Sequence, residues 1–140
     1  MEPKIIEGGV FSDNRGTLSF VNDFKFDNIN RFYIIENSTE DDTRAWHGHR
    51  KDVKNFYCIQ GSFLVSYVKV DDWDNPSPDA KPERTMLSAE KSQVLVIPAG
   101  YANSVKALEK GSKLISFSTL PIEEAEGDSV RYDKSLWPTE

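Results

Sequence analysis

Among 140 residues there is a single cysteine, Cys58, so no intrachain disulfide can form and the fold must rest on a packed core. No apolar run in the chain approaches the roughly 20 residues that a membrane-spanning helix requires. The opening Met1-Glu2-Pro3-Lys4 lacks the charged-then-apolar order of a secretory leader. Basic charge is in deficit: 17 Lys and Arg stand against 23 Asp and Glu, for a net charge of −6. A nucleic-acid binder needs a basic footprint, which this chain does not have overall. Eight glycines and seven prolines are too few for a collagen-like or low-complexity chain. There is no Gly-x-Ser-x-Gly elbow, no Gly-x-Gly-x-x-Gly run and no Walker sequence, so serine hydrolase, nicotinamide and ATP chemistry lack support. What remains is one globular domain over residues 1–140, expected to be soluble and cytoplasmic, with neither nucleic acid nor membrane as partner.

What is present is a series of short apolar runs separated by turn residues. Strands are expected over Arg31 to Ile35, Asn55 to Ile59, Phe63 to Val70, Gln93 to Ile97 and Lys113 to Phe117. Gln60-Gly61-Ser62 between two such runs is a hairpin signal. Turn clusters fall at Ser12 to Gly16, Asn75 to Pro78, Pro98 to Gly100 and Lys110 to Ser112. The best helical segment, Ile122 to Gly127, is short and acidic. Asp71 to Pro82 is the longest polar stretch and predicts an exposed loop. The pattern predicts an all-β sandwich or barrel. The strand beginning at Lys54 is apolar on both faces, Phe56 and Cys58 on one and Tyr57 and Ile59 on the other. A second layer or a partner must cover the outer one, which makes a homodimer the expected state.

The densest chemical signal is Arg44-Ala45-Trp46-His47-Gly48-His49-Arg50-Lys51-Asp52-Val53-Lys54. It holds both histidines of the chain, and four basic side chains against one aspartate. On a strand, positions two apart share a face, so His47 and His49 project side by side. Histidine is the acid-base residue of neutral pH. The local excess of positive charge suits an anionic ligand such as a phosphate. Strict parity turns Trp46 away from the histidines into packing, and also puts Arg44 on the far face unless the strand begins or bulges there. Cys58, mid-strand, reads as a buried and inert thiol.

The spacing His47-Gly48-His49, then Lys54, then Gly61 resembles the first motif of the cupin superfamily, and Pro98-Ala99-Gly100-Tyr101-Ala102-Asn103 resembles the second. The resemblance implies a cupin jelly roll, a double-stranded β-helix. Metal-binding cupins carry Glu where Lys54 stands and a third His where Asn103 stands. The ammonium repels a divalent cation, and two imidazoles alone are a poor site, so no metal and no other cofactor is expected.

Within the cupins the chain resembles the nucleotide-sugar branch, which holds the dTDP-4-dehydrorhamnose 3,5-epimerases and the shorter dTDP-sugar 3,4-ketoisomerases. The matching pieces are Val10 to Gly16, Arg44 to His47, Lys54 through Gly61, Leu87 to Glu90, Val96 to Ala102, and Glu124 to Gly127 through Trp137-Pro138, covering about 8–138. The resemblance implies that His47 removes a proton next to a C4 ketone, that Lys54 stabilises the enolate oxygen, and that Arg44 and Arg15 hold the nucleotide diphosphate. In the ketoisomerases, two histidines spaced as His47 and His49 move protons between neighbouring carbons. The epimerases' tyrosine acid is missing: Phe117-Ser118-Thr119-Leu120-Pro121 occupies its stretch. Tyr33 and Tyr101 are candidate replacements, and Arg50 and Asn103 are further candidate substrate-binding residues. The expectation is a metal-independent isomerase of a dTDP-linked 4-keto-6-deoxy sugar, an epimerase first and a 3,4-ketoisomerase second. A cupin that binds the nucleotide sugar without turning it over is the third alternative.

Overall fold

Runs rich in Val, Ile, Phe and Tyr, each ended by Gly, Pro, Asn or Asp, leave the chain few options but short strands. The computed structural model describes residues 1–37 and 42–140. In chain order the strands are β1 (Lys4–Glu7), β2 (Gly9–Asp13), β3 (Gly16–Phe20), β4 (Arg31–Ile35), β5 (Thr43–His49), β6 (Lys54–Gln60), β7 (Ser62–Lys69), β8 (Glu83–Ser88), β9 (Gln93–Ile97), β10 (Tyr101–Ala107), β11 (Lys113–Ser118) and β12 (Ser129–Arg131). One short helix, α1 (Ile122–Asp128), lies where the sequence favours it. No helix among the described residues is long and apolar enough to cross a membrane.

Two antiparallel five-stranded sheets form, ordered β1-β9-β6-β11-β4 and β12-β5-β10-β7-β8, with β2 and β3 as a separate ribbon. The all-β expectation therefore holds, as a jelly-roll sandwich. The interior draws on both sheets: Phe56, Cys58, Leu95, Ile97 and Leu114 from the first, Phe63, Val65, Leu87 and Val105 from the second. Each such side chain contributes roughly 1.5–3 kcal/mol on burial. Strand β11 shows the alternation directly, with Leu114, Ser116 and Ser118 buried and Ile115 and Phe117 half-buried on the outer face. Burial also pushes the Cys58 thiol up to about 11, which leaves it inert.

The expected hairpin at Gly61 does not form. Strand β6 pairs with β9 and β11, whereas β7 pairs with β8 and β10, so the turn carries the chain from one sheet to the other. A hairpin and a sheet-to-sheet corner use the same turn residues, and only pairing elsewhere decides between them. Gly61 sits at φ +71°, and a Cβ there would lie 2.1 Å from Ser112 Oγ.

The outer faces of the two sheets are finished differently. On the second sheet, Trp46, Val68, Val70 and Ala102 are covered by Trp73 and Ala80 of the β7–β8 loop and by Tyr132, Leu136 and Trp137 of the C-terminal tail. That loop is therefore partly packed instead of wholly exposed. Trp46 packs edge-on against Trp137, ring centres 5.3 Å apart, and donates its Nε1–H to the Trp137 carbonyl. On the first sheet, Phe24, Phe26, Phe32 and Phe117 form a cluster of rings. Within that cluster Phe32 is 61% exposed, and Ile34 on the same strand is 53% exposed.

Candidate active site

A cavity of about 230 Å³ opens between the two sheets. The second sheet contributes Arg44, His47 and His49 from β5, Asn103 and Val105 from β10, and Ser129 and Arg131 from β12. The first sheet supplies the opposite wall: Arg31, Tyr33 and Ile35 from β4, with Lys54 and Phe56 from β6. Strand parity explains the histidine pair, since His47 and His49 point inward while Gly48 between them faces Trp73. Across the sheet, Asn103, His47 and Arg131 form one row of register partners.

Arg44 reaches the same cavity, against strict parity. His47 pairs with Asn103 and Arg44 with Val105, so three steps along β5 match two along β10. That extra residue is a bulge, and it turns Arg44 to the histidines' face. Its Nε–H donates to Asn37 Oδ1 at 3.1 Å.

Both imidazoles are kept neutral near neutral pH. Burial, followed by the charges of Arg131, Arg44 and Lys54, lowers His47 below its ordinary 6.5. Burial, with Lys54 second, brings His49 down to about 4. A neutral imidazole is free to accept a proton. Facing them, Lys54 is buried, donating to Ser118 Oγ at 2.8 Å and Tyr33 Oη at 3.2 Å, with Asp52 Oδ2 at 3.3 Å. Burial opposes the Asp52 charge most strongly. The Lys54 ammonium, the Leu120 N–H and the Thr119 hydroxyl together outweigh it and hold the carboxyl below its usual range. Arg31 adds a second cation 3.6 Å from Asp52. Buried Asp128 accepts the backbone N–H groups of Lys51 and Asp52, which pins the turn between β5 and β6.

Six of the nine expected site residues therefore line one cavity: Tyr33, Arg44, His47, His49, Lys54 and Asn103. Three do not. Tyr101 shares the inward parity of Asn103, but its ring is packed into the main core. Arg50 follows His49, so parity turns it out, and its guanidinium stacks over Trp73 at 5.3 Å. Arg15 stands at the exposed tip between β2 and β3, paired with Asp13 at 2.7 Å. Arg31, Arg131 and Asp52 belong to the site although the sequence does not mark them for it. Arg31 has a signal, since it shares Tyr33's parity on β4. Arg131, on a three-residue strand without apolar alternation, has none.

These residues do not fit a divalent metal. His47 and His49 are joined by an ammonium and an amide, short of the three or four ligands such an ion takes. Among the described residues no group of three His, Cys, Asp or Glu side chains converges. The cavity offers instead two neutral bases, a phenol, several guanidiniums, and the Asn103 Nδ2 amide, which is buried without a hydrogen-bond partner among the described residues. An apolar flank of Ile35, Phe56 and Val105 completes it.

The family described as FdtA: WxcM-like, C-terminal matches residues 1–132. No curated protein matches the chain. Among solved structures, a doubly substituted variant of the QdtA 3,4-ketoisomerase from Thermoanaerobacterium thermosaccharolyticum, in complex with TDP, is 25% identical. Its TM-score is 0.74, with 94% of this chain and 88% of that chain covered. ChmJ, a 3'-monoepimerase from Streptomyces bikiniensis in complex with dTDP-quinovose, is 16% identical with a TM-score of 0.76, covering 94% and 70%. The rmlC epimerase of Mycobacterium tuberculosis is 15% identical with a TM-score of 0.75, covering 96% and 72%. At such identities the last two establish the jelly-roll fold alone.

Proposed function

Because the chain belongs to the FdtA, WxcM-like family, we propose that it is an isomerase acting on a dTDP-linked 4-keto-6-deoxy sugar by proton abstraction next to the ketone. The observation that carries this is the pairing across one cavity of two neutral imidazoles, His47 and His49, with the phenol of Tyr33. A C–H beside a carbonyl is acidic enough only if a base takes the proton while a donor holds the oxygen on which charge develops. His47 is the base. Tyr33, on the opposite wall, is the donor to the carbonyl oxygen. His49, beside His47, relays the proton that His47 has taken to the neighbouring carbon or orients the first imidazole. Arg44 and Arg131, at the cavity lining, bind the diphosphate, with charge-assisted bonds that guanidinium makes well. Asn103 donates its unpartnered amide to a sugar oxygen.

Two imidazoles on one wall favour 3,4-ketoisomerisation, which moves a proton between adjacent carbons on one face of the ring. The TDP-binding ketoisomerase similar at 25% identity supports the same choice. Epimerisation at C3 is the second possibility, favoured by Tyr33 standing on the wall opposite His47. The exposed ring cluster around Phe32 serves as the contact for a second copy, giving a homodimer.

Incubation with dTDP-4-keto-6-deoxyglucose in deuterated water, followed by NMR, tests the proposal. A ketone moved to C3 supports ketoisomerisation, and a 4-keto product inverted at C3 with deuterium there supports epimerisation. Unchanged sugar without deuterium at C3 or C5 sinks both and leaves a binding module. The substitution His47→Ala should remove turnover by orders of magnitude while changing dTDP affinity little.

A further inference from the structure

An ammonium carries three N–H donors and no acceptor. Those of Lys54 face three protein oxygens: Ser118 Oγ, Tyr33 Oη and Asp52 Oδ2. The Lys54 side chain is only 3% exposed. Asp52 is itself held by the backbone N–H groups of Thr119 and Leu120, the Thr119 hydroxyl and Arg31. Turning an N–H of Lys54 to a substrate oxygen would break a partner from a buried ion pair, a costly change. Tyr33 differs, being 36% exposed and lining the cavity. Its oxygen accepts from Lys54, which leaves its own O–H free to donate. The phenol is thus the point at which the buried ammonium meets the cavity.

Resting on the isomerase proposal, we infer that Lys54 acts through Tyr33 instead of touching the substrate: its ammonium holds the Tyr33 oxygen, presents the phenol proton to the sugar's carbonyl oxygen, and balances the phenolate left behind. The steps balance. His47 takes the carbon-bound proton, the C–H electron pair becomes the C=C bond, and the carbonyl π pair closes onto oxygen. That oxygen takes the Tyr33 proton, leaving an enediol, an imidazolium, and a phenolate beside Lys54. For ketoisomerisation, the phenolate then takes the proton of the neighbouring hydroxyl as its carbon becomes the new ketone. The His47 imidazolium returns its proton, directly or through His49, to the former carbonyl carbon. Lys54 is thereby a positioning residue, and Asp52 and Ser118 fix where it stands.

A double-mutant cycle on the full chain tests this, with kcat and KM measured for wild type, Tyr33→Phe, Lys54→Met and both together. Each single change should lower kcat about a hundredfold with KM moved less than about threefold, and the double variant should lie within about threefold of Tyr33→Phe alone. Losses that multiply, to about ten thousandfold, would mean that Lys54 acts on substrate independently and would overturn the inference while leaving the isomerase intact. A wild type that neither turns over nor exchanges deuterium would remove the isomerase proposal and the inference with it. Should Lys54→Met not fold, Lys54→Met joined to Asp52→Asn removes both buried charges, and the cycle is run on that pair with the same expectations.

Discussion

Lowering the pH from about 7.5 to about 5 should cost the protein about 2 kcal/mol of stability through His49 alone. In the folded chain this imidazole titrates at about 4, pushed down by burial and then by Lys54, against 6.5 when it is exposed. Between those values the unfolded chain binds the extra proton and the folded one does not. The contribution is therefore complete above pH 6.5 and is lost as pH falls through about 4. His47, lowered by the same chief cause, adds loss of the same sign. The assay is urea unfolding at the two pH values, followed by the fluorescence of the buried Trp46 and Trp137. The comparison is with His49→Gln, in which the carboxylates still titrate but this imidazole does not. Its loss between the two pH values should be smaller by about 2 kcal/mol than that of wild type. Equal losses in the two proteins would refute the depressed pKa and, with it, the claim that His49 is an unprotonated base at neutral pH.

Three further outcomes follow from the geometry. Arg44→Ala and Arg131→Ala should each weaken dTDP binding by about tenfold in calorimetry, whereas Arg50→Ala, outside the cavity, should leave it unchanged; an equal loss from Arg50→Ala would misplace the diphosphate. Gly61→Ala should destabilise by more than about 2 kcal/mol in chemical unfolding, because it forces a side chain into φ +71° and against Ser112 Oγ, which accepts the Ser62 N–H and donates to the Glu109 carbonyl. Sedimentation should find wild type dimeric and Phe32→Asp shifted toward monomer, since a charge placed in the exposed ring cluster cannot be covered; a monomeric wild type would leave that face unexplained.

Local pattern made much of this molecule legible. Short apolar runs ended by turn residues mark β4, β9 and β11 almost to the residue, and in β11 the buried positions also alternate. The same parity put His47 and His49 together and turned Trp46 away. Their neighbours Lys54 and Asn103 follow from motif spacing. Arg15, Arg50 and Tyr101 carry signals of charge, proximity in sequence or motif position, but such signals do not say where a side chain points. Arg50 faces out by the very rule that turns His49 in.

The chain's own order of residues therefore determined the fold class and the histidine pair, because both depend on side-chain type and on spacing along the strands. Only the tertiary structure decided the rest. Pairing between distant strands made Gly61 a corner instead of a hairpin, and a bulge set against β10 brought Arg44 inward. Pairing within the first sheet set Lys54 on β6 beside Ser118 on β11, sixty-four residues away, and brought Tyr33 on β4 within reach of Lys54. Those depend on which strands meet, a property of the whole chain packing at once that no local period encodes.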